Sequence, residues 1–255
     1  MNLVIIQARL GSTRLPGKVL KQINNKTLLE LLVQRISKSK LLDEIIIATT
    51  IEKIDDPLVE FCNKLKLKYF RGSENDVLDR FYQTINSTFH IPHSTFHIIR
   101  VTADCPLHHG EVIDFAITEF EKRKADYFSN SNQPPVLEDG CDTEIFSFNA
   151  LETAWREAKK NSEREHVTPF IKNSGKFKCE FQKFNSEYNF KLSVDNENDF
   201  KTVSEIFNYF RPDEFFTINQ IVELLKKKPE LLEYNKNSVI NAGYQKSLAN
   251  DKYTK

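Results

Sequence analysis

Directly after the apolar run 3–6, the chain reads Ala8-Arg9-Leu10-Gly11-Ser12-Thr13-Arg14-Leu15-Pro16-Gly17-Lys18, and two of its 7 glycines fall in this stretch. Gly, Ser and Thr let a ligand approach the backbone closely, while Arg9, Arg14 and Lys18 add fixed cations. Backbone N–H groups and cations together are the means of holding a polyphosphate. No acid precedes Glu30, so a chain whose 36 Lys+Arg and 36 Asp+Glu cancel still presents a locally positive mouth. A P-loop needs G-x-x-x-x-G-K-[ST]; here five residues separate Gly11 from Gly17, and Val19 stands where a hydroxyl would meet Mg²⁺. No G-x-G-x-x-G is present either. The alternative reading is a basic surface turn with glycine ending a helix. On either reading, long cations on a loop are seldom core, so their removal is expected to spare the fold.

The second group is a pair of carboxylates. Asp104 ends the strand-like FHIIRVTAD and Asp195 ends KLSVD. Acids at strand termini can converge over one sheet edge, and two carboxylates plus triphosphate oxygens suit Mg²⁺. In a metal-free protein two such charges are expected to repel each other. Taken singly, each Asp also reads as a turn or cap residue. The third group is Asp139-Gly140-Cys141-Asp142-Thr143-Glu144 with Arg164-Glu165-His166. These side chains suit hydrogen bonding to hydroxyls, or orientation of an attacking group. Their alternative is first-turn helix acids and a surface histidine. His90, His93 and His97 include a metal-like spacing, but Pro92 breaks any helix that would align them, which favours a loop leading into a strand.

The elements that must carry these residues follow from periodicity. Short apolar runs at 3–8, 44–50, 68–72, 96–104 and 125–130 read as strands. Between them, 27–36, 56–66, 75–87 and 111–123 have helical spacing. Strands apolar on both faces and separated by helices predict a mostly parallel sheet covered on both sides. Right-handed crossovers make this an α/β, Rossmann-like, doubly wound layer structure. In such a sheet the loop 8–18 lies at a strand's carboxyl end, where ligands bind. Beyond Asn130 the rhythm changes: helices at 149–160 and 163–172, two strands at 178–184 and 190–195 joined as a small hairpin, then helices at 197–209 and 218–227. Residues 1–227 thus read as one domain, with a distinct region at about 131–190 and a Lys- and Asn-rich tail at 228–255 that wraps the surface or frays.

Composition sets the outer bounds. With 40% hydrophobic and 28% charged residues the chain is an ordinary folded protein rather than a disordered one. Zero net charge argues against non-specific binding to nucleic acid or acidic membrane, and no apolar run approaches the length of a bilayer span. The N-terminus lacks the pattern of a signal peptide. Cys62, Cys105, Cys141 and Cys179 form no C-x-x-C pair, so a reduced, cytoplasmic setting is the simplest expectation.

The stretch IIQARLGSTRLPGK resembles the N-terminal signature of the cytidylyltransferases that activate acidic sugars. That family includes 3-deoxy-manno-octulosonate cytidylyltransferase and the CMP-sialic acid synthetases. The segments FRGSENDVLDRF, RVTADCPL, ADYFSN, REHVTPFI, LSVDNENDF and INAGYQKSL are similar to its spore-coat polysaccharide (SpsF-type) branch. The resemblance implies a nucleotide site formed by Ala8, Arg9, Leu10, Gly11, Ser12, Arg14, Lys18, Arg71 and Ala103, with Arg9, Arg14 and Lys18 acting on the phosphates. It implies Mg²⁺ on Asp104 and Asp195, CTP as nucleotide, and an acidic sugar, sugar phosphate or phosphonate as acceptor. It also implies a homodimer, with sugar contacts from the region of Asp142, Glu144, Arg164 and His166, and Asp76 and Arg80 facing ligand. Asp76 and its neighbours Ser73 and Asn75 read equally as the cap of the helix that follows. The rival enzyme class is a nucleotide-sugar-dependent glycosyltransferase, which usually carries a D-x-D triplet that this chain lacks. A nucleotidyltransferase using a different base, and a non-catalytic nucleotide binder, are the remaining alternatives.

Overall fold

A computed structural model of the chain describes residues 1–89, 95–130, 139–182, 190–240 and 242–253. In chain order it contains β1 (Asn2–Gln7), the two-residue strands β2 (Gln22–Ile23) and β3 (Lys26–Thr27), α1 (Leu28–Ile36), β4 (Glu44–Thr50), α2 (Asp56–Leu65), β5 (Lys68–Gly72) and α3 (Val77–Thr88). There follow β6 (His97–Thr102), α4 (Gly110–Arg123), β7 (Tyr127–Ser129), β8 (Glu144–Ser147), α5 (Phe148–Glu157), α6 (Asn161–His166) and α7 (Pro169–Asn173). The last elements are β9 (Cys179–Phe181), α8 (Glu197–Phe210), α9 (Ile218–Lys227) and α10 (Ala242–Ala249).

Seven strands form one sheet in the order β5-β4-β1-β6-β8-β7-β9. β1 is its axis, pairing in parallel with β4 on one side and β6 on the other. Its side chains show why both faces are covered. Leu3 and Ile5 enter the apolar cluster shared with α3 and α5, whereas Val4 and Ile6 enter the one shared with α1, α2 and α4. Successive strand residues point to opposite faces, so a run apolar at every position demands a layer on each side. The chain passes from β1 outward to β4 and β5, then returns to β6 on the far side. The topological switch therefore lies between the carboxyl ends of β1 and β6, and that is where a doubly wound sheet opens a crevice.

A third apolar cluster lies beneath this crevice. Leu15, Leu107, Leu192 and Val194 pack there with Val203, Ile206 and Phe207 of α8 and Ile221, Leu224 and Leu225 of α9. Arg35, fully buried, donates to the carbonyls of Leu107, His108, Glu214 and Phe216, tying α1 to the turn beyond Asp104 and to the approach to α9.

Three expectations need correction. Segments 178–184 and 190–195 do not form a hairpin among the described residues. β9 pairs in parallel with β7, and the only strand-type pairing of 190–195 among the described residues is an isolated bridge between Lys191 and Asp139. The cause is polar: the buried Lys191 ammonium gathers acceptors and shapes this segment in place of a ladder. The helix expected over 163–172 is two helices, because Val167 has φ 69° and Pro169, which has no N–H to continue a helix, starts the second. β8, antiparallel to β6 and β7, was not expected; its four residues are too few to show a period. His90 and His93 lie outside the described residues, while His97 starts β6, shares a hydrogen bond with Asn2 and packs edge-on to Phe120. The tail beyond residue 227 wraps: Asp251 accepts from the Ser162 backbone and hydroxyl, and Lys160 and Tyr253 form a bridge. No described helix is long and apolar enough to cross a membrane. The described cysteines are free thiols, Cys62, Cys105 and Cys141 of them buried.

Candidate active site

The loop after β1 is fixed from both ends. The Ala8 N–H donates to the carbonyl of Ala48 on β4, the Leu10 N–H to the buried Asp55 carboxylate at 2.6 Å, and the Gly17 N–H back to the Leu10 carbonyl at 3.0 Å. Gly17, at φ 68°, supplies the left-handed residue that closes this curl. Leu10 and Leu15 are buried, so the loop is pinned by its apolar residues while its polar ones face the crevice. On the other side of the crevice the Ala103 N–H donates to the Gln7 carbonyl, placing Asp104 beside the loop.

Lys18 joins the two carboxylates. Its Nζ donates to Asp104 Oδ2 at 2.6 Å, to the Val194 carbonyl at 2.7 Å and to Asp195 Oδ1 at 3.2 Å, which uses all three ammonium protons. The segments carrying the two acids are laced directly as well, since the Val194 N–H donates to the Asp104 carbonyl. Arg14 Nη2 reaches Asp195 Oδ1 at 2.7 Å, and Lys191 Nζ reaches Asp195 Oδ2 at 3.0 Å. Lys191 also donates to the Ser193 carbonyl and hydroxyl, and it lies 3.4 Å from Asp199 and 3.7 Å from Asp139. The carboxylates thus do not face each other bare, contrary to the expected repulsion. Four acids (Asp104, Asp139, Asp195 and Asp199) stand against three cations, Arg14, Lys18 and Lys191.

The titration behaviour follows this clustering. Burial alone would raise the Asp104 carboxyl, but the Lys18 charge and hydrogen bond outweigh it and hold the group down at about 2. Burial likewise works against the Lys18 ammonium, and Asp104 and Asp195 overcome it to raise the group above its ordinary value. Lys191 is raised in the same way by Asp195, Asp139 and Asp199. Asp139 moves the other way, raised first by burial and then by the charges of Asp104 and Asp195, against the Ser193 hydrogen bond and Lys191. At neutral pH the Lys18–Asp104 pair is therefore fully ionised.

Beside this cluster opens a cavity of about 430 Å³, lined by Gln7, Ala8 and Arg9 from β1 and its loop, by residues 74–77 and Arg80 at the start of α3, and by Asn161 and 164–166 of α6. Arg9 pairs with Glu74 across its mouth at 2.7 Å. Asp76 caps α3 through the Asp79 N–H and also takes Arg164 in a forked ion pair. His166 lines the wall but is turned to Ser247 of α10 and packs against Tyr244; burial, then the Arg100 charge, push it down to about 4, so it is neutral at pH 7.

Some expected site residues lie elsewhere. Arg71 donates to the carbonyls of Thr50 and Glu52 and pairs with Asp56, bracing the turn after β4 away from the cavity. Glu144 is buried behind the cavity wall and saturated by protein donors: Arg100, Tyr127, Thr168 and Lys172 all reach it. Asp142 is half-buried in the neighbourhood of Cys105, outside the cavity lining. Ser12 accepts from the Leu15 N–H at 3.4 Å and Gly11 faces Glu74, both on the loop's open side. Sequence reasoning missed Lys191 and Gln7. The only signal for Lys191 was an Asp four residues on, in a stretch that reads as strand.

A mostly parallel sheet with a cation–carboxylate cluster at its switch point belongs to α/β enzymes that handle nucleotides. The chain is a member of the cytidylyltransferase family, whose model, described as "Cytidylyltransferase", matches residues 3–246. It is 43% identical over 237 residues to an uncharacterized protein of Methanocaldococcus jannaschii, covering 91% of this chain and 93% of that one. It is 33% identical over 239 residues to the spore coat polysaccharide biosynthesis protein SpsF of Bacillus subtilis, covering 89% and 95%. A cytidylyltransferase from Leptospira borgpetersenii shares its structure with a TM-score of 0.82 at 31% identity, over 90% of this chain and 95% of that one. The protein is accordingly a nucleotidyltransferase, and the glycosyltransferase alternative is set aside.

Proposed function

We propose that this protein transfers CMP from CTP to an acidic sugar, sugar phosphate or phosphonate, with release of pyrophosphate, for surface polysaccharide or glycoconjugate synthesis. The name of the Bacillus subtilis relative supports the setting. The observation that carries the chemistry is the Lys18 ammonium held between Asp104 and Asp195 at the mouth of the phosphate-type loop.

An acceptor oxygen forms a bond to the α-phosphorus, the bond from that phosphorus to the bridging oxygen breaks, and pyrophosphate departs with its electron pair. Little covalent work falls to the protein; orientation and neutralisation of charge supply the rate. Arg9 and Arg14 are each 46% exposed; Arg9 is held by a surface pair with Glu74 worth about 1 kcal/mol or less, and Arg14 reaches from solvent to the partly buried Asp195. Incoming phosphates therefore recruit Arg9 readily, and the exposed Arg14 is within their reach beside Asp195. Lys18 is buried and stays, offering a fixed positive charge where the phosphates meet the carboxylates.

Asp104 and Asp195 fit a divalent ion. They are hard oxygen donors in a cluster with one more acid than cation, and Mg²⁺ commonly takes one or two carboxylates from a protein, with substrate phosphates and water completing its shell. When bound there, Mg²⁺ supplies neutralisation of phosphate charge. A homodimer belongs to the same reading and is checked by light scattering. The deciding experiment measures pyrophosphate and CMP-linked product with CTP, UTP, GTP and ATP against acidic sugars, sugar phosphates and phosphonates. CTP is expected to lead. A clear lead for GTP or UTP would overturn the base and keep the transferase, while release of a nucleoside diphosphate from a sugar donor would overturn the reaction class.

A further inference from the structure

The cavity beyond Ala8 contains a buried cation that forms no close ion pair of its own among the described residues. Arg80 lines it yet is only 2% exposed, with its stem packed against Gly72, where a Cβ would meet Arg80 Cγ at 3.0 Å. Its Nη1 donates to the Ser73 carbonyl, but the buried Nε has no hydrogen-bond partner among the described residues. The acids that attract it are already engaged, Asp55 with the Leu10 N–H and the Thr50 hydroxyl, Glu74 with Arg9 and Asp76 with Arg164. Burial first, and then the repulsion of Arg9, push the Arg80 guanidinium down to about 10. A buried charge left in this condition destabilises the fold unless a ligand completes it.

A second donor lines the same cavity. Arg100 Nε donates to Gln7 Oε1 at 3.1 Å, and Arg100 is itself fixed by Glu144 at 2.6 Å. A guanidinium has only donors, so the Gln7 amide must turn its oxygen toward Arg100. Its NH₂ group is then left as a donor on a cavity-lining side chain. The buried Glu144 thus acts on the cavity through Arg100 and Gln7, as a positioning residue.

We propose that Arg80 and Gln7 form an anion-reading donor pair in this cavity, taking a carboxylate or phosphate oxygen of the ligand. The proposal rests on the reading of the site as a nucleotidyl-transfer centre, and the two sources of the anion are the acceptor's carboxylate and a phosphate of CTP.

The test is binding of CTP with Mg²⁺, of 3-deoxy-manno-octulosonate and of inorganic phosphate to the wild type, Arg80→Gln and Gln7→Glu, by calorimetry and melting shift. Gln7→Glu still accepts from Arg100, so packing is kept while the donor is lost and a negative charge opposes the anion. Both variants are expected to bind the same probe about tenfold more weakly or worse, the loss of one hydrogen bond to a charged group. Weakened CTP identifies a phosphate as the anion; weakened acid sugar with CTP unchanged identifies a carboxylate. Unchanged affinity for all three probes overturns the pair, as does a wild type that binds none of them. If Arg80→Gln fails to fold, Gln7→Glu alone decides: wild-type binding of every probe overturns the pair. A wild type that binds a probe and makes no CMP-linked product overturns the transfer reading and leaves the donor pair standing.

Discussion

The Lys18 ammonium lies 2.6 Å from the Asp104 carboxylate and 3.2 Å from that of Asp195, residues 86 and 177 positions further along the chain. One side chain therefore closes the crevice between the loop after β1, the end of β6 and the segment before α8. It is both the positive charge of the site and part of what holds the site together.

Lys18→Met should cost activity and stability at once. It removes the charge opposite two partly buried carboxylates, and breaking such a pair costs about 3 kcal/mol or more. Turnover should fall by about 10²-fold, roughly 2.7 kcal/mol at 1.36 per decade. The structure thereby reverses the expectation that a loop cation can be removed without harm, because Lys18 is only 8% exposed. Melting temperature and kcat/KM measured on the same preparation check this; an unchanged melting temperature would contradict it.

Acid should unfold the protein partly through Asp104. Its carboxyl sits at about 2 in the folded chain against an ordinary 3.8, so the unfolded chain binds the proton first. The stabilisation is present above pH ~4 and is lost as pH falls from there toward 2, in all about 2 kcal/mol at 1.36 per unit. Glu144, held low by Lys172 and Arg100 against its burial, adds to the same loss. Lys18→Met removes the Asp104 contribution, so its melting temperature should depend less on pH between 5 and 3 than that of the wild type. Equal acid slopes in the two proteins would sink the argument.

Gly140→Ala should damage the site without touching a charge. Gly140 has φ +101°, and a Cβ there would lie 2.6 Å from the Ser193 nitrogen and 2.7 Å from the Leu192 carbonyl carbon. Both atoms belong to the backbone that leads to Asp195, which would have to shift. A cost of about 1–3 kcal/mol from the backbone conformation alone, plus reduced kcat/KM, is expected. Differential scanning calorimetry with a turnover assay measures both, and a variant equal to wild type in each would contradict the account.

Local patterns made much of this readable, and the failures share one cause. β1 and its loop were legible because an all-apolar strand and a run of Gly, Ser, Arg and Lys are both written within a few residues. Asp104 was legible from its place after β6. Lys191 was not, because its meaning depends on Asp139 and Asp199, which only the fold brings near. Arg71 and Glu144 show the opposite case: their residue types suggest ligands, yet Arg71 is turned to the Thr50 and Glu52 carbonyls and to Asp56, and four donors from separate elements saturate Glu144. The expected repulsion between Asp104 and Asp195 failed in the same way, since three cations stand around them.

The most direct test is pyrophosphate release from CTP by Asp104→Asn and Asp195→Asn beside the wild type, with an acceptor the wild type uses and with Mg²⁺ varied. Each substitution keeps the side chain's volume and removes the charge that both Lys18 and a divalent ion require. The account predicts release reduced by about 10²-fold or more in each variant, with weakened Mg²⁺ dependence. It also predicts a lower melting temperature without ligand, because each variant leaves a buried ammonium short of a counter-charge. Wild-type release by either variant would contradict the assignment of this carboxylate pair to the reaction.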